Sequence, residues 1–145
     1  MALRTITLLG VPLINEDGVA GEEIRPGHLV SGVTTIIKHS SAGGIAARTF
    51  ALERDELGKG IDNTYQGRAG SAYYAVGDAV KVGSFHPGQR VLALIDSGVN
   101  VAEGGFLESA GNGTLRARTS TNPVVARALE AKNVLETTWI RVEVY

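Results

Sequence analysis

Residues 91–95 set Val91, Ala93 and Ile95 on one side of an extended chain and Leu92 and Leu94 on the other, so both faces are apolar. A strand of that kind suits burial on both sides. Residues 137–145 follow another rule: Ile140, Val142 and Val144 alternate with Trp139, Arg141, Glu143 and Tyr145, which predicts a strand buried on one face. Between these two runs the turns are written in. Asp96-Ser97-Gly98 closes the first strand, and after residues 99–101 the chain turns at Gly104-Gly105 and runs on through Phe106 and Leu107. Asn112-Gly113 predicts a two-residue hairpin turn with two positive φ values, and Leu115 opens the return strand.

Upstream the pattern is shorter in period. Leu3, Ile6, Leu8 and Leu9 lie among Arg4, Thr5 and Thr7, which fits a first strand or an extended arm over residues 1–20. Asn15-Glu16-Asp17-Gly18 and Pro26-Gly27 are turn signals, and Leu29, Val30, Val33, Ile36 and Ile37 predict strands on both sides of Ser31-Gly32. Residues 40–44 form a small-residue loop. Residues 45–53, IAARTFALE, carry mixed local preferences and are read as strand; residues 75–82 are read as another short strand. Asn122-Pro123 ahead of VVARALEAK has the form of a helix start, while Val124 and Val125 fit a strand equally well.

One recurrence links these pieces: a glycine, two variable positions, then an aliphatic residue, at Gly27 to Val30, Gly77 to Val80, Gly88 to Val91 and Gly104 to Leu107. Its irregular spacing excludes a solenoid and places glycine in the turn before several strands. The expected fold is all-β, a small β-barrel or β-sandwich, with residues 21–145 as one domain.

Residues 54–74 break the pattern, with four glycines, many polar groups and few aliphatic ones. A loop of that length in a compact domain is a candidate partner surface. Tyr65, Tyr73 and Tyr74, in a setting of small polar residues, strengthen that reading.

Composition then narrows the function. The 145 residues hold 14 Lys and Arg against 15 Asp and Glu, a formal charge of −1, so no basic surplus exists to release counterions from nucleic acid. There is no cysteine, which removes disulfides, thiol catalysis and Cys-ligated zinc. No run approaches the ~20 apolar residues of a membrane helix, and the first residues lack the apolar core of a signal peptide. The expectation is a soluble protein made in a cytoplasm.

Catalytic and metal chemistry find little to stand on. His28, His39 and His86 lack metal-ligand spacing, and Ser40 or Ser41 beside His39 has no third orienting group. Gly111-Asn112-Gly113 lacks the Lys-Ser/Thr of a phosphate loop. The cluster of Glu53, Arg54, Asp55 and Glu56 with Asp62 and Asn63 lacks the alternating carboxylates of a calcium loop and reads as a solvated charged loop. No cofactor and no enzymatic activity are expected.

The phrases ALERDELGKGIDNTY, then YAVGDAVKVGSFHPGQRVLALIDSGVNVAEGGFLESAGNGTLR, ARALEAKN and a final VEVY resemble the head decoration, or cement, proteins of tailed bacteriophages over about residues 20–145. The resemblance implies a small β-rich protein, usually trimeric, on the outside of the capsid, clamping neighbouring major capsid protein subunits. It carries no catalytic residues. One departure is Arg127, where the family has a glycine ahead of Ala128-Leu129-Glu130. Contacts with capsid or sister subunits are expected at Leu3, Ile6, Leu8, Arg54, Asp55, Tyr65, Tyr73 and Tyr74, and removal of the first ~15 residues is expected to weaken binding without unfolding. A carbohydrate-binding surface module is the alternative; with one tryptophan, its aromatic platform would have to come from the tyrosines.

Overall fold

The computed structural model describes residues 5–53 and 73–145. Its described elements are all strands. Five of them close on themselves: β8 (Arg90–Ile95), β11 (Leu115–Ala117), β10 (Phe106–Ser109), β12 (Ala126–Ala128) and β14 (Thr138–Val144) are bonded in that order, and β14 returns to β8. The fold is therefore a β-barrel with additional sheets, which decides between barrel and sandwich. Full closure removes the strand edges an open sheet would leave.

The two strands most legible in the sequence form its longest seam. β8 and β14 run antiparallel from Thr138 opposite Ile95 to Glu143 opposite Arg90. Val91, Ala93, Ile95, Ile140, Val142 and Val144 all have no exposed surface. Leu92 and Leu94, on the other face of β8, are covered as well. The Pro26-Gly27 turn lies over them: Leu94 N donates to Gly27 O at 3.1 Å, and Trp139 Nε1 donates to Pro26 O at 2.8 Å. Closure on the opposite side of β8 is slight, a single parallel pairing of Leu115 with Ile95.

Beside the barrel lie two three-stranded sheets. One has the order β2 (Leu13–Asn15), β7 (Val82–Ser84), β6 (Thr49–Ala51); the other β3 (Val19–Ala20), β5 (Thr35–Lys38), β4 (Val30–Ser31). Ala20, Ile24, Val30, Ile36, Ala51, Tyr74, Val80 and Val82 form a second apolar core with them. β9 (Asn100–Val101) and β13 (Lys132–Asn133) make a short ribbon, and β1 (Thr7–Leu9) pairs with the start of β8.

The recurrent glycines occupy a common corner. His28 N donates to Arg25 O, Asp78 N to Ala75 O, Gln89 N to His86 O and Gly105 N to Ala102 O, all at 3.0–3.1 Å. The third residue of each turn is the glycine, with φ between +79° and +96°. That is the type II arrangement, which needs a residue without Cβ there. In three corners the last residue's side chain also accepts from the first residue's amide: His28 Nδ1 from Arg25, Asp78 Oδ2 from Ala75, Gln89 Oε1 from His86. The aliphatic residue that follows, Val30, Val80, Val91 or Leu107, is buried in every case.

Some local expectations require correction. Residues 45–53 contain β6, as read, but residues 75–82 are interrupted by the Val76-Gly77 corner, so the strand starts only at Val82. After Asn122-Pro123 the chain forms strand β12, because positions 126–128 bridge β10 and β14. Arg127 lies within that strand, so no turn is required where the family has its glycine. Asn112-Gly113 is not a two-residue hairpin turn. Ser109 and Leu115 are the last pair, Ala110 N donates to Thr114 O, and the positive φ values belong to Gly111 and Gly113.

Candidate functional site

The candidate contact residues divide sharply in the structure. Leu3, Arg54, Asp55 and Tyr65 lie outside the described residues. Ile6 is fully buried; its amide donates to Glu53 Oε2 at 2.9 Å and its carbonyl accepts from Leu92 N. Tyr74 is buried too, its hydroxyl donating to Leu52 O at 2.7 Å. These two side chains serve the chain's own core and are withdrawn from the surface. Tyr73 is half-buried, with the Arg25 guanidinium 5.3 Å from its ring centroid. Leu8 is exposed.

Around Leu8 the first strands form an apolar surface that the sequence reading only partly reached. Residues 5–14 contain no charged side chain. Leu8, Leu9, Val11, Leu13 and Ile14 are all exposed, Leu13 and Val11 by 67% and 84%. β2 bonds to β7 alone, so among the described strands its other edge is open. Natural sheets usually guard such an edge with charge; here Pro12 and the kink at Gly10, with φ +98°, are the interruptions. The stretch is nevertheless docked, by β1 on β8, β2 on β7 and a bond from Gln89 Nε2 to Val11 O at 3.2 Å.

On the outer barrel face, Thr5, Leu8, Leu92, Glu130, Lys132, Trp139 and Arg141 line a groove of about 620 Å³. Arg141 and Glu130 form an ion pair on it at 2.6 Å. Among the described residues, the two groups whose protonation is displaced lie elsewhere. His28 falls to about 3 because it is buried, with Lys38 and Arg25 adding repulsion. Burial pushes the Glu108 carboxyl up, but the Thr119 amide, Arg116, Asn122 and the Thr119 hydroxyl outweigh it and hold the group below its ordinary value.

The histidines do not converge on a metal site; no cluster of three or more His, Cys, Asp and Glu occurs among the described residues. His39 does meet a serine, though neither Ser40 nor Ser41. Its Nδ1 is 2.7 Å from Ser109 Oγ and its Nε2 3.0 Å from Ile45 O. A carbonyl only accepts, so Nε2 carries a proton and donates to Ile45 O, while Nδ1 and the serine hydroxyl share the other hydrogen bond. Ser109 is fully buried and its oxygen accepts from Gly111 N, so the pair ties a loop to the barrel and presents no nucleophile. No helix among the described residues is long and apolar enough to cross a membrane.

No protein-family model matches the sequence, and no curated protein matches it. Among solved structures, the chain is similar to the N base of the head fiber protein gp8.5 of bacteriophage phi29, at 13% identity and a TM-score of 0.58, covering 93% of each chain. At that identity the likeness is one of fold: this all-β chain shares the architecture of a phage head-fiber base.

Proposed function

We propose that this chain is a structural protein of a tailed-phage head, which binds the outer surface of the capsid and stabilises contacts between major capsid protein subunits. The observation that carries this reading is the uncharged, exposed edge formed by residues 5–14, in a fold shared with a phage head-fiber base. An open edge of β2 can accept a strand from a neighbour, with backbone bonds for affinity and apolar side chains for fit. Sister copies, as a homotrimer arrayed on a symmetric shell, multiply weak contacts through avidity. In this reading the protein is made in the host cytoplasm and acts on the virion surface, without cofactor, nucleic acid or membrane.

The described tyrosines do not favour the carbohydrate-binding alternative. Tyr74 is buried and Tyr73 faces Arg25, so among the described tyrosines only the ring of Tyr145, beside Phe106, is left open for a sugar, which is a single ring and no platform.

Truncating the first ~15 residues is a poor test, since it also takes Ile6 out of the core. The double variant Leu8→Glu, Leu13→Glu alters only exposed positions. Its unfolding free energy should stay within about 1 kcal/mol of the parent, while binding to head shells falls. Undiminished shell binding by the folded variant would contradict the assignment of this edge.

A further inference from the structure

The barrel carries a second surface of different chemistry. Register aligns Phe106 of β10 with Arg127 of β12, Arg127 with Glu143 of β14, and Glu143 with Arg90 of β8. The chain neighbours Leu107, Ala126, Ala128, Val142, Val144 and Val91 are buried, so strand alternation turns the whole row outward. Glu143 holds both arginines: Oε1 accepts from Arg127 Nη2 at 2.8 Å, and Oε2 lies 3.7 Å from Arg90 Nε.

At the end of the row Phe106 meets Tyr145 edge to face, with centroids 5.1 Å apart. Both rings stay open to solvent, at 39% and 45% exposure. Arg48 donates through Nε to the Tyr145 carbonyl, and the exposed Arg118 lies just past the end of β11, its amide donating to Phe106 O at 2.9 Å. Arg127, Arg118 and Arg48 thus lie beside an exposed aromatic pair, and Arg90 stands at the far end of the row beyond Glu143, in a chain whose formal charge is −1.

We propose that this row docks an acidic polypeptide segment of a partner protein, an apolar or aromatic side chain of the segment resting on Phe106 and Tyr145 while its carboxylates pair with Arg118, Arg127 and Arg90. Charge complementarity selects the partner: Arg90, Arg118 and Arg127 outnumber Glu143 on this face. Guanidinium forks match carboxylates bidentately, and arginine with aromatic residues is the composition of energetic centres in interfaces. Glu143 holds two of the arginines in place beforehand, which lowers the ordering cost of binding. A nucleic acid fits less well. The edge-to-face rings leave no parallel slot for a base to stack. The inference stands apart from the capsid reading, because it requires only an acidic partner.

The test is fluorescence anisotropy of the full chain with a labelled peptide alternating Asp or Glu with Leu and Phe, alongside its Lys-substituted counterpart and a single-stranded oligonucleotide. The acidic peptide should bind, and its affinity should fall about 10-fold or more on Arg127→Glu and on Arg118→Glu. Lys38→Ala, on the separate β3–β5–β4 sheet, should leave it unchanged. Arg118 is exposed, so its reversal remains informative even where loss of the Arg127–Glu143 pair weakens the fold. Equal binding of the basic peptide, preference for the oligonucleotide, or binding that survives both reversals would overturn the proposal. So would absence of peptide binding together with self-association that the same reversals abolish, which would assign the face to a second copy.

Discussion

Glu108 and Arg116 stand directly opposite one another on β10 and β11, with Arg116 Nε 2.8 Å from Glu108 Oε1. The carboxylate is wholly covered, whereas the arginine side chain is about one-third exposed, at 36%. Thr119 closes the arrangement, its amide donating to Oε2 and its hydroxyl to Oε1, both at 3.2 Å. One side chain thereby fixes the start of the loop after β11, where Arg118 Nε and Asn122 O bond at 2.6 Å and Ser120 adopts φ 51°.

Glu108→Gln keeps the shape but gives up the charged acceptor, and should cost about 1–3 kcal/mol in urea unfolding. The folded carboxyl titrates below its unfolded value of 4.5. The unfolded chain therefore takes up the proton first; the stabilisation is complete above pH 4.5 and is lost as pH falls through the folded value. The cost of the variant should accordingly shrink in acid, and a cost that is the same at pH 7 and pH 3 would contradict this role.

His28 gives a pH dependence in a different window. It accepts the Arg25 amide through Nδ1 at 2.9 Å, and burial lowers its value from 6.5 to about 3. Protons bind the unfolded chain preferentially between those limits. Stability should fall as pH drops below 6.5, by roughly 2 kcal/mol at pH 5. Gln89 accepts the equivalent bond at its own corner, so His28→Gln should keep the turn and remove this slope between pH 6.5 and 5. An unchanged slope in that variant would show that another group is responsible.

Two of the glycine corners differ in what surrounds them. A Cβ at Gly88 would meet nothing within 4 Å, whereas one at Gly27 would lie 2.6 Å from Trp139 Nε1. Gly88→Ala should cost about 1–2 kcal/mol, the backbone penalty of a positive φ alone. Gly27→Ala should cost more, because it also pushes away the indole that bonds Pro26 O. Urea unfolding of the two variants side by side checks the order, and equal costs would count against the packing argument.

These corners mark where the sequence was most readable. Positive φ before a buried aliphatic residue is a local requirement, so the four glycines announce it without knowledge of partners. The same holds for β8, whose burial follows from its continuous apolar run, and for the inward face of β14, which follows from alternation. Features set at a distance were less legible. The Leu115–Ile95 pairing that closes the barrel joins strands with no periodic signal between them, and β12 is a strand because β10 and β14 flank it, against a local pattern that permits a helix. The exposed apolar surface was legible as an apolar N-terminal run, but alternation was not enough to tell that Ile6 turns inward while Leu8, Leu9, Val11, Leu13 and Ile14 remain outside. The Phe106–Arg127–Glu143–Arg90 row had no sequence signal at all, since it exists only through the registers of four strands.

The most direct test of the proposed capsid role is cryo-electron microscopy of tailed-phage head shells, prepared without the protein and then incubated with the folded chain. The expected result is ordered added density at three-fold or quasi-three-fold positions, with the edge of residues 5–14 against capsid or a sister copy and raised thermal tolerance of the shell. Shells that acquire no density while the protein remains folded would contradict the capsid-binding role.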